Sequence, residues 1–430
     1  MRVLMFGWEF PPHIAGGLGT ACKGIVEGLA HNGVQTLFVM PSASGDEDQS
    51  CTEIINASDV AVQHVSSSVD EFIDKVKFVY VDSNLVPYVE PDEYFEAIEK
   101  MKKEMVTQTT IGFGQKFKFS GKYGANLMEE VSRYAQVGGT IAMQHNDEFD
   151  VIHAHDWLTY LAGIAAKELT GKPLVVHVHA TSFDRGTDDM VDSRVYAIEK
   201  RGMEMADKVV AVSELTRNIV INKYGIDPSK VVAVHNAVVF SGREDLTVER
   251  GVKDKVVTFL GRITYQKGPE YFIDAAAKVL KRTKGVRFVM AGSGDMMTRA
   301  IRQVARLGIS DRFHFTGFLR GTDVQKMFAL SDVYVMPSVS EPFGISPLEA
   351  MRSNVPSIIS YQSGAAEVLK YAFKVDFWDV DAMADDIYAL VNYPALSTFA
   401  SEHGLEEVNA LKWDYAAAKL KNIYEQLIIK

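Results

Sequence analysis

The chain has 430 residues, with 45 lysines and arginines against 56 aspartates and glutamates, which gives a formal net charge of −11. This length predicts two or three domains, and the hydrophobic fraction of 47% with a charged fraction of 23% excludes wholesale disorder. The negative charge argues against a general nucleic-acid binder. Two cysteines, no apolar run long enough for a membrane span and no signal-peptide pattern predict a cytoplasmic protein without a transmembrane segment.

The first half of the chain repeats a short apolar run, a Gly-rich or polar turn and a stretch with helical spacing. Helical spacing occurs at 20–31 and 192–206, and 90–147 is interpreted as an insertion with helices at 94–105 and 125–135. Because several runs are apolar throughout, both faces of the strands are expected to be covered, as in a doubly wound parallel sheet. The predicted strands are 2–10, 34–40, 76–82, 150–156, 173–180, 208–213 and 230–234.

The same pattern begins again after a charged, apolar-poor stretch at 241–255. We predict a first domain at 1–240, a second at 241–410 and a C-terminal helix at 411–430, where 413–429 has apolar residues at helical spacing. Ligands of such sheets bind outside the carboxyl ends of the strands, and with two domains the default site is the cleft between them. The strands predicted in the second domain are 256–260, 287–291, 313–318, 333–337 and 356–360.

Two glycines, Gly16 and Gly17, follow the first predicted strand and precede a helix. Such a turn lets backbone N–H groups approach an anion at the helix N-terminus. The sequence matches neither GxGxxG nor the P-loop pattern. A tight turn without a ligand is the alternative interpretation.

Arg262 and Lys267 lie in the segment GRITYQKG, directly after the first strand of the second half. Two cations at the carboxyl end of a strand can converge on a diphosphate, the arginine as a planar fork and the lysine as a point charge. A pair of solvated surface charges is the alternative.

Glu341 and Glu349 lie in EPFGISPLE, which follows another predicted strand. The prolines and the glycine of this segment predict Glu341 on a loop and Glu349 in the first turn of a helix. Carboxylates in these places can accept hydrogen bonds from sugar hydroxyls, whereas a carboxylate that merely complements the helix dipole is the alternative.

Alternate histidines stand on two predicted strands, in HAHD at 153–156 and in HVHA at 177–180. Histidines so spaced suggest a metal site. We expect no metal, because His153 and His177 are predicted to point away from any ligand gathered by their partners and no cysteine cluster joins them. The functional interpretation places His155, Asp156 and His179 at successive strand ends, and satisfied core or capping residues are the alternative.

Together these motifs resemble the retaining glycosyltransferases of the GT-B fold, and more narrowly the glycogen and starch synthases. The resemblance implies an α/β protein of two doubly wound, Rossmann-like domains that face each other across a cleft, with a C-terminal helix that crosses back to the first domain. The matching segments are 16–17, 150–157, 179–185, 209–214, 234–238, 261–268 and 341–351.

The resemblance also implies roles for single residues. Arg262 and Lys267 would neutralise the diphosphate of the donor, Glu349 would hold its ribose, and Glu341 would hold hydroxyls of the transferred sugar. His179 would lie beside the anomeric centre, so that His179, Glu341, Arg262 and Lys267 form the catalytic set. Further donor-binding residues would be Gly16, Gly17, Phe343 and Gly344, and acceptor-side residues would be His155, Asp156 and Arg185.

The activity implied is transfer of glucose from UDP-glucose or ADP-glucose to the non-reducing end of an α-1,4-glucan such as glycogen, with no cofactor and no metal. Ile14 stands where bacterial glycogen synthases usually carry a lysine, which weakens the prediction of ADP-glucose. A different acceptor therefore stays open: a cell-surface polysaccharide, a small-molecule sugar or a lipid-linked sugar, for which the basic and aromatic segment 116–122 is the candidate surface. A sugar-nucleotide epimerase and a non-catalytic sugar-nucleotide-binding protein also stay open. The sequence predicts no oligomeric state.

Overall fold

The computed structural model describes residues 1–13, 16–78, 113–124, 126–186, 191–238 and 248–429. The chain divides into two compact units. Unit 1 consists of Met1–Phe183, Thr187–Asn236 and Trp413–Lys430, and unit 2 consists of Asp184–Gly186 and Ala237–Lys412. The predicted helix at 94–105 and much of the predicted insertion lie outside the described residues.

Unit 1 is built on a seven-stranded sheet whose neighbouring strands are all parallel. The strand order is β3-β2-β1-β4-β5-β6-β7, so the direction of winding reverses between β1 and β4. The strands are β1 (Arg2–Phe6), β2 (Gln35–Met40), β3 (Glu53–Asn56), β4 (Val151–His155), β5 (Leu174–Val178), β6 (Lys208–Ala211) and β7 (Val231–Ala233).

The helices of unit 1 begin and end at residues suited to those positions. Asp192 and Ser213 cap two of them by accepting hydrogen bonds from the backbone N–H groups of Arg194 and Thr216. Gly171 and Gly225 end two helices in the left-handed conformation. These helices are α1 (Gly17–His31), α2 (Ser67–Phe78), α3 (Leu127–Gln144), α4 (Trp157–Thr170), α6 (Ser193–Met205) and α7 (Glu214–Tyr224), and the short helix α5 (Ser182–Arg185) begins in unit 1 and ends in unit 2.

Two predicted strands of unit 1 are corrected. The strand predicted at 2–10 ends at Phe6. In the strand predicted at 76–82, residues 76–78 belong to helix α2, and 79–82 lie outside the described residues. Val69 and Ile73, one helical turn apart, are both buried, so the apolar spacing of this segment is helical rather than alternating.

Unit 2 is built on a six-stranded parallel sheet with the order β10-β9-β8-β11-β12-β13, which reverses between β8 and β11. Its strands are β8 (Lys255–Leu260), β9 (Val286–Ala291), β10 (Phe313–Gly317), β11 (Val333–Met336), β12 (Ser357–Ser360) and β13 (Phe373–Val375). Its helices are α8 (Pro269–Arg282), α9 (Met297–Arg306), α10 (Thr322–Leu330), α11 (Ser346–Arg352), α12 (Ala365–Val368), α13 (Val380–Asn392) and α14 (Pro394–Ala410). Both sheets confirm the predicted fold class.

The last helix, α15 (Trp413–Ile428), belongs to unit 1 and packs against α1. Two glycines of α1 make this contact close, because a Cβ on Gly24 would lie 2.2 Å from the Trp413 ring and one on Gly28 would lie 2.7 Å from the Trp413 carbonyl oxygen. Lys421 donates to the carbonyl of Asn32 at 2.9 Å. The predicted return of the C-terminal helix to the first domain is confirmed.

Trp413→Ala is expected to lower the free energy of unfolding by about 3–5 kcal/mol, because the buried Trp413 ring packs against Gly24 and its removal leaves a cavity. Urea unfolding measures the change. Tyr415→Ala, on an exposed aromatic of the same helix, is the control and should change it by less than about 0.5 kcal/mol. Equal effects of the two variants would contradict this account of the helix contact.

Among the described residues, the structure contains no helix that combines the length and the apolar character needed to span a bilayer.

Candidate functional site

The candidate donor residues of unit 2 lie where the winding of its sheet reverses. Arg262 and Lys267 follow β8, and Lys267 ends a short 3-10 turn, Tyr265–Lys267, just before α8. Gly268 joins the turn to the helix with a φ of +65°, and a Cβ there would lie 2.1 Å from the Pro337 carbonyl oxygen. The sequence therefore brings the loops after β8 and β11 into contact at the switch point.

Lys267 and Glu341 form the polar centre of this half of the site. Glu341 is buried, and its carboxylate accepts hydrogen bonds from the Lys267 ammonium and, at 3.3 Å, from the Ser338 hydroxyl. Arg262 is half-buried and donates to the Gln266 side chain at 3.3 Å. The loop thus holds two cations and a carboxylate at the end of two adjacent strands.

The backbone around Glu341 is fixed by the loop that follows β12. The N–H of Glu341 donates to the Gln362 carbonyl at 2.9 Å, and Gly364 donates to the Glu341 carbonyl at 2.9 Å. Ala365 donates to the carbonyl of Phe343, whose ring is buried, at 2.7 Å. The Glu341 carboxylate is therefore held on a loop with little freedom.

The other predicted residues of this segment occupy the expected local structure. Gly344 has a φ of +93°, which favours glycine. Glu349 lies in the first turn of α11, as the sequence predicts. Desolvation raises the pKa of Glu349 above its ordinary value, and the nearby Arg352 charge partly opposes the rise.

In unit 1, four histidines lie together on one face of the sheet. The rings of His153 and His155 have centroids 4.3 Å apart, and His177 lies 5.3 Å from each of them. His179 stacks on His177 at 4.3 Å. The expectation that His153 and His177 point away from their partners is wrong, because residues two apart on a strand share a face.

Asp156 and His155 position His179 from the end of β4. Asp156 has a φ of 59° and a ψ of 168°, a backbone conformation that is costly for any residue with a Cβ. Its carboxylate accepts hydrogen bonds from the N–H of His179 at 2.7 Å and of Ala180 at 3.3 Å. The Nδ1 of His155 is hydrogen-bonded to the Nε2 of His179 at 2.9 Å.

Burial keeps all four imidazoles neutral. Burial lowers the pKa of His179 to about 3, and burial together with neighbouring His179 lowers the pKa of His153 to about 3. The pKa values of His155 and His177 are also far below the ordinary value, first through burial and then through the other histidines. At neutral pH His179 is therefore a hydrogen-bonding group and not a cation.

Of the two glycines of the predicted anion-binding turn, Gly16 is the N-cap of α1 and Gly17 is its first residue. Gly16 is extended, and a Cβ on Gly16 or Gly17 would meet nothing within 4 Å. The buried carboxylate of Glu9 accepts a hydrogen bond from the N–H of Gly19 at 3.1 Å, so it satisfies one amide of this helix start. Sequence reasoning missed Glu9, although a carboxylate directly between a strand and a glycine turn is a usable signal. Ile14 lies outside the described residues.

Arg185 ends the short helix α5 and belongs with Asp184 and Gly186 to unit 2. The carboxylate of Asp184 accepts a hydrogen bond at 2.6 Å from the hydroxyl of Ser340, the residue that precedes Glu341. The place of Arg185 on the acceptor side stays a prediction.

Residues 126–241 match the family described as Glycosyltransferase Family 4, and residues 245–404 match Glycosyl transferases group 1. An uncharacterized glycosyltransferase of Methanocaldococcus jannaschii is 27% identical over 99% of this chain and 98% of its own length. A glycogen synthase of Mycobacterium tuberculosis is 24% identical over 86% of this chain and 80% of its own length. D-inositol 3-phosphate glycosyltransferases also match.

Among solved structures, Anabaena HepE in complex with UDP and glucose has a TM-score of 0.65 at 16% identity and covers 99% of this chain and 100% of its own. The two parallel sheets, the residues at the switch point of unit 2 and the two family matches all indicate a glycosyltransferase of the GT-B fold. The chain belongs to the GT-B glycosyltransferases. Within that class it is similar to the glycogen synthases.

Proposed function

We propose that this protein is a retaining glucosyltransferase that moves glucose from a nucleotide-diphosphate glucose to the non-reducing end of an α-1,4-glucan. The observation that carries the proposal is the group of Arg262, Lys267 and Glu341 at the switch point of unit 2. Departure of the nucleoside diphosphate concentrates negative charge on phosphate, and cations already in place stabilise that charge in the transition state. Arg262 and Lys267 supply the positive charge that a divalent ion would otherwise bring.

Glu341 and His179 serve the sugar in this proposal. The Glu341 carboxylate, held by Lys267 and Ser338, accepts hydrogen bonds from hydroxyls of the transferred glucose. His179 is neutral and donates or accepts a hydrogen bond beside the anomeric centre. Glu349, with its raised pKa, receives the ribose hydroxyls, and Phe343 and Gly344 complete the part of the donor site that unit 2 carries. Gly16 and Gly17 remain predicted donor-binding residues of unit 1. Because the departing phosphate itself assists attack on the same face, Glu341 has no covalent role.

The donor and the stereochemical outcome are tested by one experiment. UDP-glucose, ADP-glucose and GDP-glucose are each incubated with the enzyme, with and without glycogen, and release of the nucleoside diphosphate is measured. We expect release from one donor to depend on glycogen, and NMR of the extended glucan to show an α-linkage. Arg302→Ala, an exposed arginine on α9, is the matched control for Arg262→Ala. A β-linkage in the product would refute retention.

One observation favours a different acceptor, and it concerns a cavity of about 430 Å³ in unit 1 beside the carboxyl ends of β2 and β3. Its lining includes Asn56, Ser58, Lys116 and Lys118. Asp59 also lines the cavity and accepts a hydrogen bond from the Asn56 amide at 3.0 Å, so the two lysines outnumber the one carboxylate. This lining suits a polar sugar that carries a phosphate, such as an inositol phosphate. Phe117 and Phe119 of the same segment are buried, so they offer no aromatic surface to a lipid-linked acceptor. If this cavity is the acceptor site, the wild-type enzyme should transfer glucose to a phosphorylated acceptor and not to glycogen. Lys116→Ala should then raise KM for the phosphorylated acceptor.

His155 acts on the reaction through His179 and is a positioning residue. His155→Phe keeps a flat buried ring but removes the hydrogen bond to His179. We expect kcat to fall about tenfold with little change in KM, because the loss of one hydrogen bond would raise the activation free energy by about 1.4 kcal/mol. His155→Asn, which restores a hydrogen-bonding group on this side chain, should recover part of kcat. A loss confined to KM would contradict the positioning role.

The cytoplasm is the proposed location. Both cysteines, Cys22 and Cys51, are unpaired thiols, which suits a reducing compartment.

A further inference from the structure

Three buried histidines carry ring nitrogens that the described residues leave without a hydrogen-bond partner. These atoms are Nε2 of His153, Nε2 of His155, and both ring nitrogens of His177. The three side chains are at most 1% exposed. An unsatisfied buried polar group is costly, and one explanation of such a group in a native protein is an ion that binds there.

The same three histidines are arranged as a ligand set. His153 and His155 are two apart on β4, and His155 is directly paired with His177 on β5. One ring nitrogen from each of the three lies within 4.8 Å of the others. In a tetrahedral zinc site, bonds of about 2.0–2.1 Å place the nitrogens roughly 3.4 Å apart, so these nitrogens need to approach one another by at most about 1.4 Å.

The opposite nitrogens of two of these rings already have hydrogen-bond partners. His153 Nδ1 is hydrogen-bonded to the Tyr424 hydroxyl at 2.7 Å, and His155 Nδ1 is hydrogen-bonded to His179 Nε2 at 2.9 Å. A histidine that binds a metal through one nitrogen generally uses the other for such a bond, which orients the ring. His153 and His155 therefore each use Nδ1 for a hydrogen bond and keep Nε2 free to bind a metal, as metal-binding histidines do.

We propose that His153, His155 and His177 form a buried binding site for one late first-row transition-metal ion of the zinc class. Neutral imidazoles suit zinc, copper and nickel, whereas magnesium and calcium require oxygen ligands that this set does not supply. The fourth position is left to a water molecule. Because Tyr424 lies on α15, the ion would tie the C-terminal helix to β4 through His153. This inference rests on the geometry of the sheet face, and because His155 also orients His179, its test measures bound metal and not activity.

The test measures metal in the whole protein and does not use activity. Because the site is buried, the chain is produced in media supplemented with zinc or cobalt, so that the ion can enter during folding, and is then passed through chelator-containing buffer. We expect about one retained metal ion per chain by elemental analysis, and the visible absorption of four-coordinate cobalt in the cobalt form.

Two variants decide whether these histidines hold the ion. His177→Gln should reduce retained metal at least tenfold and abolish the cobalt absorption, whereas His64→Gln, on an exposed histidine of the same unit, should leave both unchanged. Far-UV circular dichroism checks folding, and His153→Gln replaces His177→Gln if the latter does not fold. Wild-type protein that retains less than a tenth of an equivalent, or a folded His177→Gln that retains the cobalt spectrum, overturns the proposal.

Discussion

Arg262→Ala is expected to lower kcat/KM for glucosyl transfer by about 10²- to 10³-fold, the loss produced when one preorganised charge-stabilising group of about 2.7–4 kcal/mol is removed. The arginine is half-buried at the end of β8, where its guanidinium donates to the Gln266 side chain. Its removal should therefore affect the reaction much more than the fold. Steady-state kinetics with the preferred donor measure the effect, with Arg302→Ala as the control.

Substitution of Lys267 tests the positive charge of this loop less directly than substitution of Arg262 does. Its ammonium pairs with the buried Glu341 carboxylate, so Lys267→Ala would leave an unpaired buried charge and cost stability as well as rate. If Arg262→Ala retains kcat/KM within about threefold of the wild type, the assignment of this loop to the donor diphosphate is wrong.

Acidification is expected to destabilise unit 1 strongly through its buried histidines. The unfolded chain binds protons near the ordinary histidine pKa of 6.5, whereas His153 and His179 bind them in the folded state only near pH 3. Below pH 6.5 the unfolded state therefore holds more protons, and the free energy of unfolding falls with pH until the folded state also titrates. Between pH 7.5 and pH 5.0 each of these two histidines removes about 2 kcal/mol, so the pair removes about 4 kcal/mol.

The other groups whose pKa values differ from the ordinary ones do not reverse this fall in the free energy of unfolding. The lowered pKa values of His155 and His177 act in the same direction. Desolvation and neighbouring Asp385 raise the pKa of Asp386 to about 6, and desolvation raises the pKa of Glu349; both carboxyls act in the opposite direction and both belong to unit 2. The partly exposed Asp386 carboxyl offsets at most about 1 kcal/mol after solvent screening. Urea unfolding of protein produced in metal-depleted medium, with no metal found by elemental analysis, measures the sum at the two pH values. His177→Phe should flatten the dependence, and His64→Gln should not. Unchanged stability at pH 5.0 would contradict this account.

The donor half of the site is predictable because its residues follow apolar strands. Arg262 and Lys267 come directly after β8, and Glu341 comes shortly after β11, so knowing the strands is enough to place all three at one edge of a parallel sheet. The sequence does not show that Lys267 pairs with Glu341, because that contact depends on a long-range approach of two loops.

The histidine face and the sheet edges are harder to predict for physical reasons. The period of two is present in HAHD and HVHA, but it does not by itself show that the alternate histidines of both strands face the same side and form a cluster of four rings. β3 is a four-residue edge strand with no buried residue, and β13 has three residues, so neither carries an apolar run that a sequence pattern can detect.

Glucosyl transfer to glycogen is measured by incubating the wild-type enzyme with glycogen and radiolabelled UDP-glucose or ADP-glucose, and counting label in the precipitated glucan. We expect incorporation from one donor, released as glucose or maltose by enzymes specific for α-1,4-linkages, and its loss in Arg262→Ala. Tight binding of a nucleotide sugar with no incorporation from either donor would contradict the glucan acceptor and move the search to the cavity beside β2 and β3.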